Sequence, residues 1–409
     1  MKSVPKLLGG WILIALIALA SILAAAVAYV FASLVSGELV FDLVVAGGAA
    51  WGVSYSLSRA VARQVSSAPP GAWAARVATL LLVAMAAALA LPTLAARYLP
   101  RAYGAGDTVV PLLAEHGFAL TTAEPGGSTE DLQVLKPVLD GRRVVALGEA
   151  THGTHEFFAM KHRLLAFLVC EMGFEHFGME TGADVGRVLN DYIAGQGVDA
   201  QSVLYWPWQT AEVLGMLDWL RAYNADPRTT RPVTFHGIDP RAEERDRGMA
   251  ENVAWILEDS GPDSKIVVWA HNAHISAAPG RMGAYLKQQF GDEAYLMGFE
   301  LNRGRFTSRM MTVHTYTVYP APPSYYAHAL AQVGEPILLL DFRTMAVSPE
   351  LQAWLAADQR SHHFQELHAI FRLIPAWQRV DTSWLALYDG VIYIEESTPA
   401  LDPPGHSGP

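Results

Sequence analysis

Residues Val144–Thr181 constrain the fold more tightly than any other stretch of the chain. Val144-Val145-Ala146-Leu147 is short and wholly apolar, as suits a strand covered on both faces. Gly148 ends it, and Glu149 and His152 follow in a polar loop in which Gly153 permits a sharp turn. Thr154 is placed to cap a helix, and Glu156 in its first turn suits the helix dipole. The helical pattern runs to about Met172 and stops at Gly173. Phe174–Met179 then reads as a second strand that delivers Glu180 at its end. In a parallel α/β sheet, ligands bind outside the carboxyl ends of the strands. Glu149, His152 and Glu180 are therefore aimed at one crevice.

The same alternation continues downstream. Apolar runs fall at Val144–Leu147, Phe174–Met179, Val233–Phe235, Lys265–Trp269, Ala294–Phe299, Pro336–Leu340 and Val391–Ile394, separated by helical patterns. Such alternation marks βαβ units and predicts an α/β domain, a mostly parallel sheet with flanking helices. Ionisable groups follow each run: Glu149, Glu180, His236 with Asp239, His271 with His274, Glu300, Asp341 with Arg343, and Glu395 with Glu396. Helices are expected at Gly182–Ala194, Ala211–Tyr223, Met249–Leu257 and Gly283–Gln289. The domain is expected over residues 132–400. A connector with a short helix, Val110–His116, precedes it over residues 98–131, and a disordered tail, 401–409, follows.

Residues 1–97 read differently. Trp11–Leu34 and Val77–Ala96 carry no charge, and about 20 apolar residues cross a bilayer. Residues 39–58, apolar from Leu43 to Ser58, give a third expected span. The predicted architecture is thus an α-helical transmembrane region ahead of the α/β domain. Lys2 and Lys6 precede the first span, and Arg59, Arg63 and Arg76 lie between the second and third. That bias sets the N-terminus inside and the domain outside, as a multi-pass membrane protein with an extracytoplasmic domain. Over the 409 residues the net charge is −11, which excludes nucleic acid as a partner. Cys170, the single cysteine, falls in an apolar helical pattern and is expected in the core.

His152 has the strongest individual case for chemistry, because a carboxylate such as Glu149 orients an imidazole as a base. Lys161 and Arg163 lie mid-helix among apolar neighbours, so each needs a partner, for which Glu149 and Glu180 are placed. His271-Asn272-Ala273-His274 puts two histidines three apart, on one face if the segment turns helically. Tyr205-Trp206-Pro207-Trp208 either lines an apolar pocket or covers the core. A divalent metal at Glu149, His152, Glu180, His271 and His274 is one use of this set. Metal-free acid–base hydrolysis is the other. There is no Gly-x-Ser-x-Gly elbow and no phosphate- or dinucleotide-binding glycine loop. Water deprotonated by His152 is then the simplest attacking group.

The block Gly148-Glu149-Ala150-Thr151-His152-Gly153-Thr154-His155-Glu156-Phe157-Phe158 resembles a signature of the erythromycin esterase family. Lys161, Arg163, Gly173-Phe174 and Glu180 extend it. Phe235–Asp239 and Trp269–Ile275, with Met282-Gly283, resemble two further blocks. The resemblance implies hydrolysis of an ester or lactone, macrolides among them, with His152 as general base. Glu149, Arg163, Glu180, His271 and His274 match the other cleft positions. Lys161, His236, Asp239 and Trp206 are the expected substrate-binding residues. A metal-dependent hydrolase and a non-catalytic protein that binds an envelope glycan or lipid are the alternatives.

Overall fold

The computed structural model describes residues 106–309, 313–321, 323, 325–362 and 383–403. The three expected membrane spans lie outside them. Among the described residues, no helix is long and apolar enough to cross a membrane.

One sheet organises these residues. Its strands are β1 (Phe118–Ala119), β2 (Val144–Leu147), β3 (His176–Gly182), β4 (Thr234–Asp239), β5 (Ile266–Trp269), β6 (Ala294–Arg309), β7 (Val313–Val318), β8 (Ile337–Asp341) and β9 (Gly390–Ser397). They run in the order β1-β8-β9-β6-β2-β5-β3-β4, with β7 on the far half of β6. The central pairs β2–β5, β5–β3, β3–β4, β2–β6 and β6–β9 are parallel. β8 is antiparallel to β9, β1 to β8, and β7 to β6. The seven apolar runs all became strands. β1 escaped notice because two residues have no period, and β7 because Val-His-Thr-Tyr-Thr-Val is not an apolar run.

The principal helices are α1 (Gly106–His116), α2 (His155–Met172), α3 (Ala183–Ile193), α4 (Ala211–Ala225), α5 (Arg245–Ser260) and α6 (Met282–Phe290). In α2, Phe157 and Phe158 are buried against the sheet, ring to ring with Phe299 and Trp269. Each such side chain contributes about 1.5–3 kcal/mol relative to exposure. Gly173 closes the helix in the left-handed region, φ 72°, and Phe174 N–H donates to the Leu168 carbonyl at 3.1 Å. Thr154 is the N-cap residue, yet its hydroxyl bonds the Thr151 hydroxyl instead of a helix N–H. Cys170 is exposed, on the outer face of α2 beside Glu171, rather than in the core.

The expected connector is part of the domain. Val109 and Leu113 of α1 are buried in a cluster with Leu338, Leu340 and Trp354, and β1 adds an edge to β8. The short helix expected at Val110–His116 is α1, extended by one turn at its start; its packing on the sheet edge is what the local pattern did not show. The first residues of the expected tail are packed on the domain. Leu401 accepts from Ala211 N–H at 2.9 Å, and Pro403 is buried. Residues 404–409 lie outside the described ones.

Candidate active site

Glu149, His271, Glu180 and Asp239 sit at the carboxyl ends of β2, β5, β3 and β4, which are consecutive in the sheet. Each strand thus places one polar group on the same edge. Close approach is required there. Asn272 receives the Phe299 N–H at 3.0 Å on Oδ1 and donates Nδ2 to the Phe299 carbonyl at 2.7 Å. A Cβ on Gly148 would stand 2.1 Å from that Oδ1, so only glycine fits.

Glu149 is fully buried, and N–H donors hold both its oxygens. Oε1 meets His152 Nδ1 at 2.5 Å; Oε2 meets Lys161 Nζ at 2.5 Å and Trp269 Nε1 at 2.9 Å. Burial alone would raise its carboxyl, but the Lys161 charge and the His152 bond outweigh it and hold it below the ordinary value. Full burial pushes the Lys161 ammonium down to about 8, against the pull of Glu149. That ammonium also lies 4.2 Å from the centre of the Trp269 ring.

Bonding through Nδ1 makes Nε2 the basic nitrogen of His152. Its ring stands 4.9 Å from that of His271 and 5.6 Å, edge-on, from Trp208. Trp208 packs in turn on Phe158 and Trp269, so it forms a buried wall. Gly153, at φ 85°, lets the loop turn, and a Cβ there would meet Trp206 at 3.0 Å. Of the aromatic stretch, Trp208 is buried in the core and Trp206 lies against the site loop at Gly153.

His271 caps the single turn Asn272–Ile275, its Nδ1 accepting from Ala273 N–H at 3.2 Å. Its own N–H donates to Glu180 Oε2 at 2.8 Å. His274, in that turn, meets Asp246 Oδ1 through Nδ1 at 2.9 Å and Glu180 Oε1 through Nε2 at 3.3 Å. Arg245 gathers the acids: Nη2 reaches Glu180 at 2.7 Å and Nε reaches Asp239 at 3.0 Å. Burial works against its charge, but Asp239 and Glu180 outweigh that and raise it further above its ordinary value. Asp239 is held low by the same contact, again against its burial.

Two expected residues are elsewhere. Arg163 points away from the crevice and bonds Asp131 at 2.6 and 3.2 Å, with the Ser128 and Thr122 carbonyls at 2.6 and 3.0 Å. Residues i and i+2 of a helix lie about 200° apart, so Arg163 cannot share the face of Lys161. His236 meets His176 at 3.1 Å, at the opposite end of β3 from Glu180. Burial, with the His176 charge second, pushes it down to about 4. His236 lies mid-strand, where a run ending at Phe235 had not placed it. Arg245 was missed because the helix was started at Met249. The charge run Glu243-Glu244-Arg245-Asp246-Arg247, soon after Asp239, was the available signal.

The acids that a metal would need are already engaged. N–H donors already hold both oxygens of Glu149, an ammonium among them, and Arg245 and His271 N–H hold those of Glu180. Among the described residues, no three or more His, Cys, Asp or Glu side chains are grouped to hold a metal ion.

The family model for erythromycin esterase matches residues 169–244 and 240–397. Erythromycin esterase type II of Escherichia coli is 36% identical over 120 residues, 28% of this chain and 27% of that protein. The putative hydrolase YbfO of Bacillus subtilis (strain 168) is 33% identical over 97 residues, 23% of this chain and 22% of that protein. The chain thus spans about a quarter of the length of these curated relatives. Among solved structures, a succinoglycan biosynthesis protein superposes with TM-score 0.62 at 23% identity, covering 73% of this chain and 98% of that one. A Bacillus cereus protein gives TM-score 0.62 at 21% identity, covering 73% and 99%. The mutant erythromycin esterase EreC, in its open conformation, gives 0.52 at 13%, covering 69% and 98%. These structures share the fold. With the family pattern running over more than half of its 409 residues, the chain belongs to the erythromycin esterase family.

Proposed function

We propose that this protein is a hydrolase of an ester or lactone bond, macrolide lactones included, working by general-base activation of water. The observation that carries the reading is the Glu149–His152 pair at the carboxyl edge of β2, with its carboxylate fully buried. Glu149 fixes the imidazole tautomer, so Nε2 takes the proton as the water oxygen attacks the carbonyl carbon. The tetrahedral intermediate then expels the alcohol, to which the imidazolium returns the proton. Lys161 keeps Glu149 ionised. General-base help of this kind contributes about 10²–10⁴-fold.

His271, His274 and Arg245, at the ends of β5 and β4, supply the polar groups that orient the carbonyl. Arg245 takes the part that the sequence had suggested for Arg163. Trp206 supplies apolar contact beside the loop, and Asp239 acts through Arg245. The account needs no metal. The charge-free runs Trp11–Leu34 and Val77–Ala96, with the apolar segment Leu43–Ser58 between them, support anchoring in a membrane with the α/β domain outside the cytoplasm.

Purified full-length protein should open macrolide lactones or cleave simple esters, and exhaustive chelation should leave the rate unchanged. Loss of turnover on chelation, restored by a divalent cation, would replace this mechanism with a metal-dependent one. An absence of turnover on the whole panel would favour a binding protein for an envelope glycan or lipid.

A further inference from the structure

The segment that follows β9 turns back over the first turn of α2, where nothing in the chemistry above requires it. Ala400 N–H donates to the Gly153 carbonyl at 2.9 Å, and His155 N–H to the Thr398 carbonyl at 3.0 Å. Thr398 donates its N–H and its hydroxyl to the two oxygens of Glu156, at 2.7 and 2.6 Å. Thr154 and Pro399 pair as an antiparallel bridge. Leu401 N–H donates to Glu212 Oε1 at 2.9 Å, the oxygen that also meets His155 Nδ1 at 2.6 Å. His155 Nε2 meets Glu124 at 2.8 Å on the other side.

The strap grips the loop from one side while β6 grips it from the other. Thr307 gives its N–H at 3.0 Å and its hydroxyl at 3.1 Å to the same Gly153 carbonyl. Three donors thus converge on one carbonyl, in the residue directly after His152. Gly153 is the only residue type that fits, since a Cβ would stand 2.5 Å from the Thr307 carbonyl. The loop that carries the base is therefore tied at its last peptide to a segment some 250 residues downstream, and its geometry depends on that tie.

We infer that Thr398–Leu401 is a latch that positions the His152 loop and sets the rate without touching substrate. The catalytic consequence rests on His152 acting as the base; the mechanical one does not. Glu156 and Thr398 are its replaceable parts, as side chains on the outer face of α2 and of the strap.

The test compares full-length wild type, Glu156→Ala and Glu156→Gln by amide hydrogen exchange over residues 149–155, with kcat, KM and melting temperature measured in parallel. A carboxylate hydrogen bond is strong enough that losing two should speed loop exchange about tenfold. In the alanine variant kcat should fall by a like factor, with KM and melting temperature near those of wild type. Gln keeps one acceptor and should restore part of both. Ala400→Pro, which removes the donor to Gly153, should reproduce the effect. Unchanged loop exchange in a folded Glu156→Ala protein would overturn the latch, whatever its activity. So would a kcat loss that merely follows a lowered melting temperature. Should wild type hydrolyse nothing, the esterase reading falls and the exchange comparison still decides the latch.

Discussion

Lys161 and Arg163 stand two residues apart on α2, are both buried, and each pairs with a carboxylate at about hydrogen-bond distance. Lys161 turns inward to Glu149 and the Trp269 ring, so its charge belongs to the crevice. Arg163 turns to the loop Thr122–Asp131 and clamps it through one carboxylate and two carbonyls. On the proposed mechanism one cation serves the chemistry, while the other serves the fold. The difference teaches that a buried charge takes its role from the element its helix face meets, not from its neighbours in sequence.

The strongest way to break this contrast is Lys161→Met. Removing the cation strands the Glu149 carboxylate in the interior, which should cost about 3–5 kcal/mol and abolish turnover. Denaturant unfolding and an ester assay read the two effects. A variant of wild-type stability and activity would dissolve the distinction. Arg163→Met should cost less, about 1–3 kcal/mol, because Asp131, unlike the fully buried Glu149, keeps partial exposure and two donors on Thr121. Its kcat per folded molecule should be unchanged. A selective kcat loss would return Arg163 to the site.

Acid titration sharpens the contrast further. Despite its burial, Asp131 is lowered to about 2 from 3.8, chiefly by Arg163. A carboxyl held below its unfolded value stabilises the fold above that value, and the gain is lost as pH falls through the folded one. Wild type should therefore lose stability between about pH 4 and 2 by an amount that Asp131→Asn does not lose, as melting curves would report. The smallest effect concerns His155, raised to about 9 from 6.5 chiefly by its bond to Glu212. A base raised on folding stabilises fully below its unfolded value. That contribution should fade as pH climbs from about 6.5 to about 9 and be missing in His155→Gln.

Much of this was legible in the sequence. Every apolar run became a strand, because strands covered on both faces, the parallel ones and β8 alike, are apolar along their length. Glu149, His152, Glu180, His271, His274 and Asp239 could be placed together because the carboxyl ends of such strands share one edge. Lys161 and Trp206 also came to the site. What was not legible depended on direction within an element. Arg163 could not be separated from Lys161 without knowing which face met the sheet. His236 fell on the wrong end of its strand, and Arg245 needed a helix start that no apolar period marks. Trp208 was in view, but only the fold distinguishes it from Trp206. The latch was invisible, since backbone bonds between distant segments leave no pattern in sequence.

The most direct test of the central claim is the turnover of His152→Ala beside wild type on the best substrate of the macrolide and ester panel, with folding checked by melting temperature. A fall of about 10²–10⁴-fold in kcat in a folded variant is the predicted result. Turnover at the wild-type rate would contradict the assignment of His152 as the base, and with it the mechanism proposed for this site.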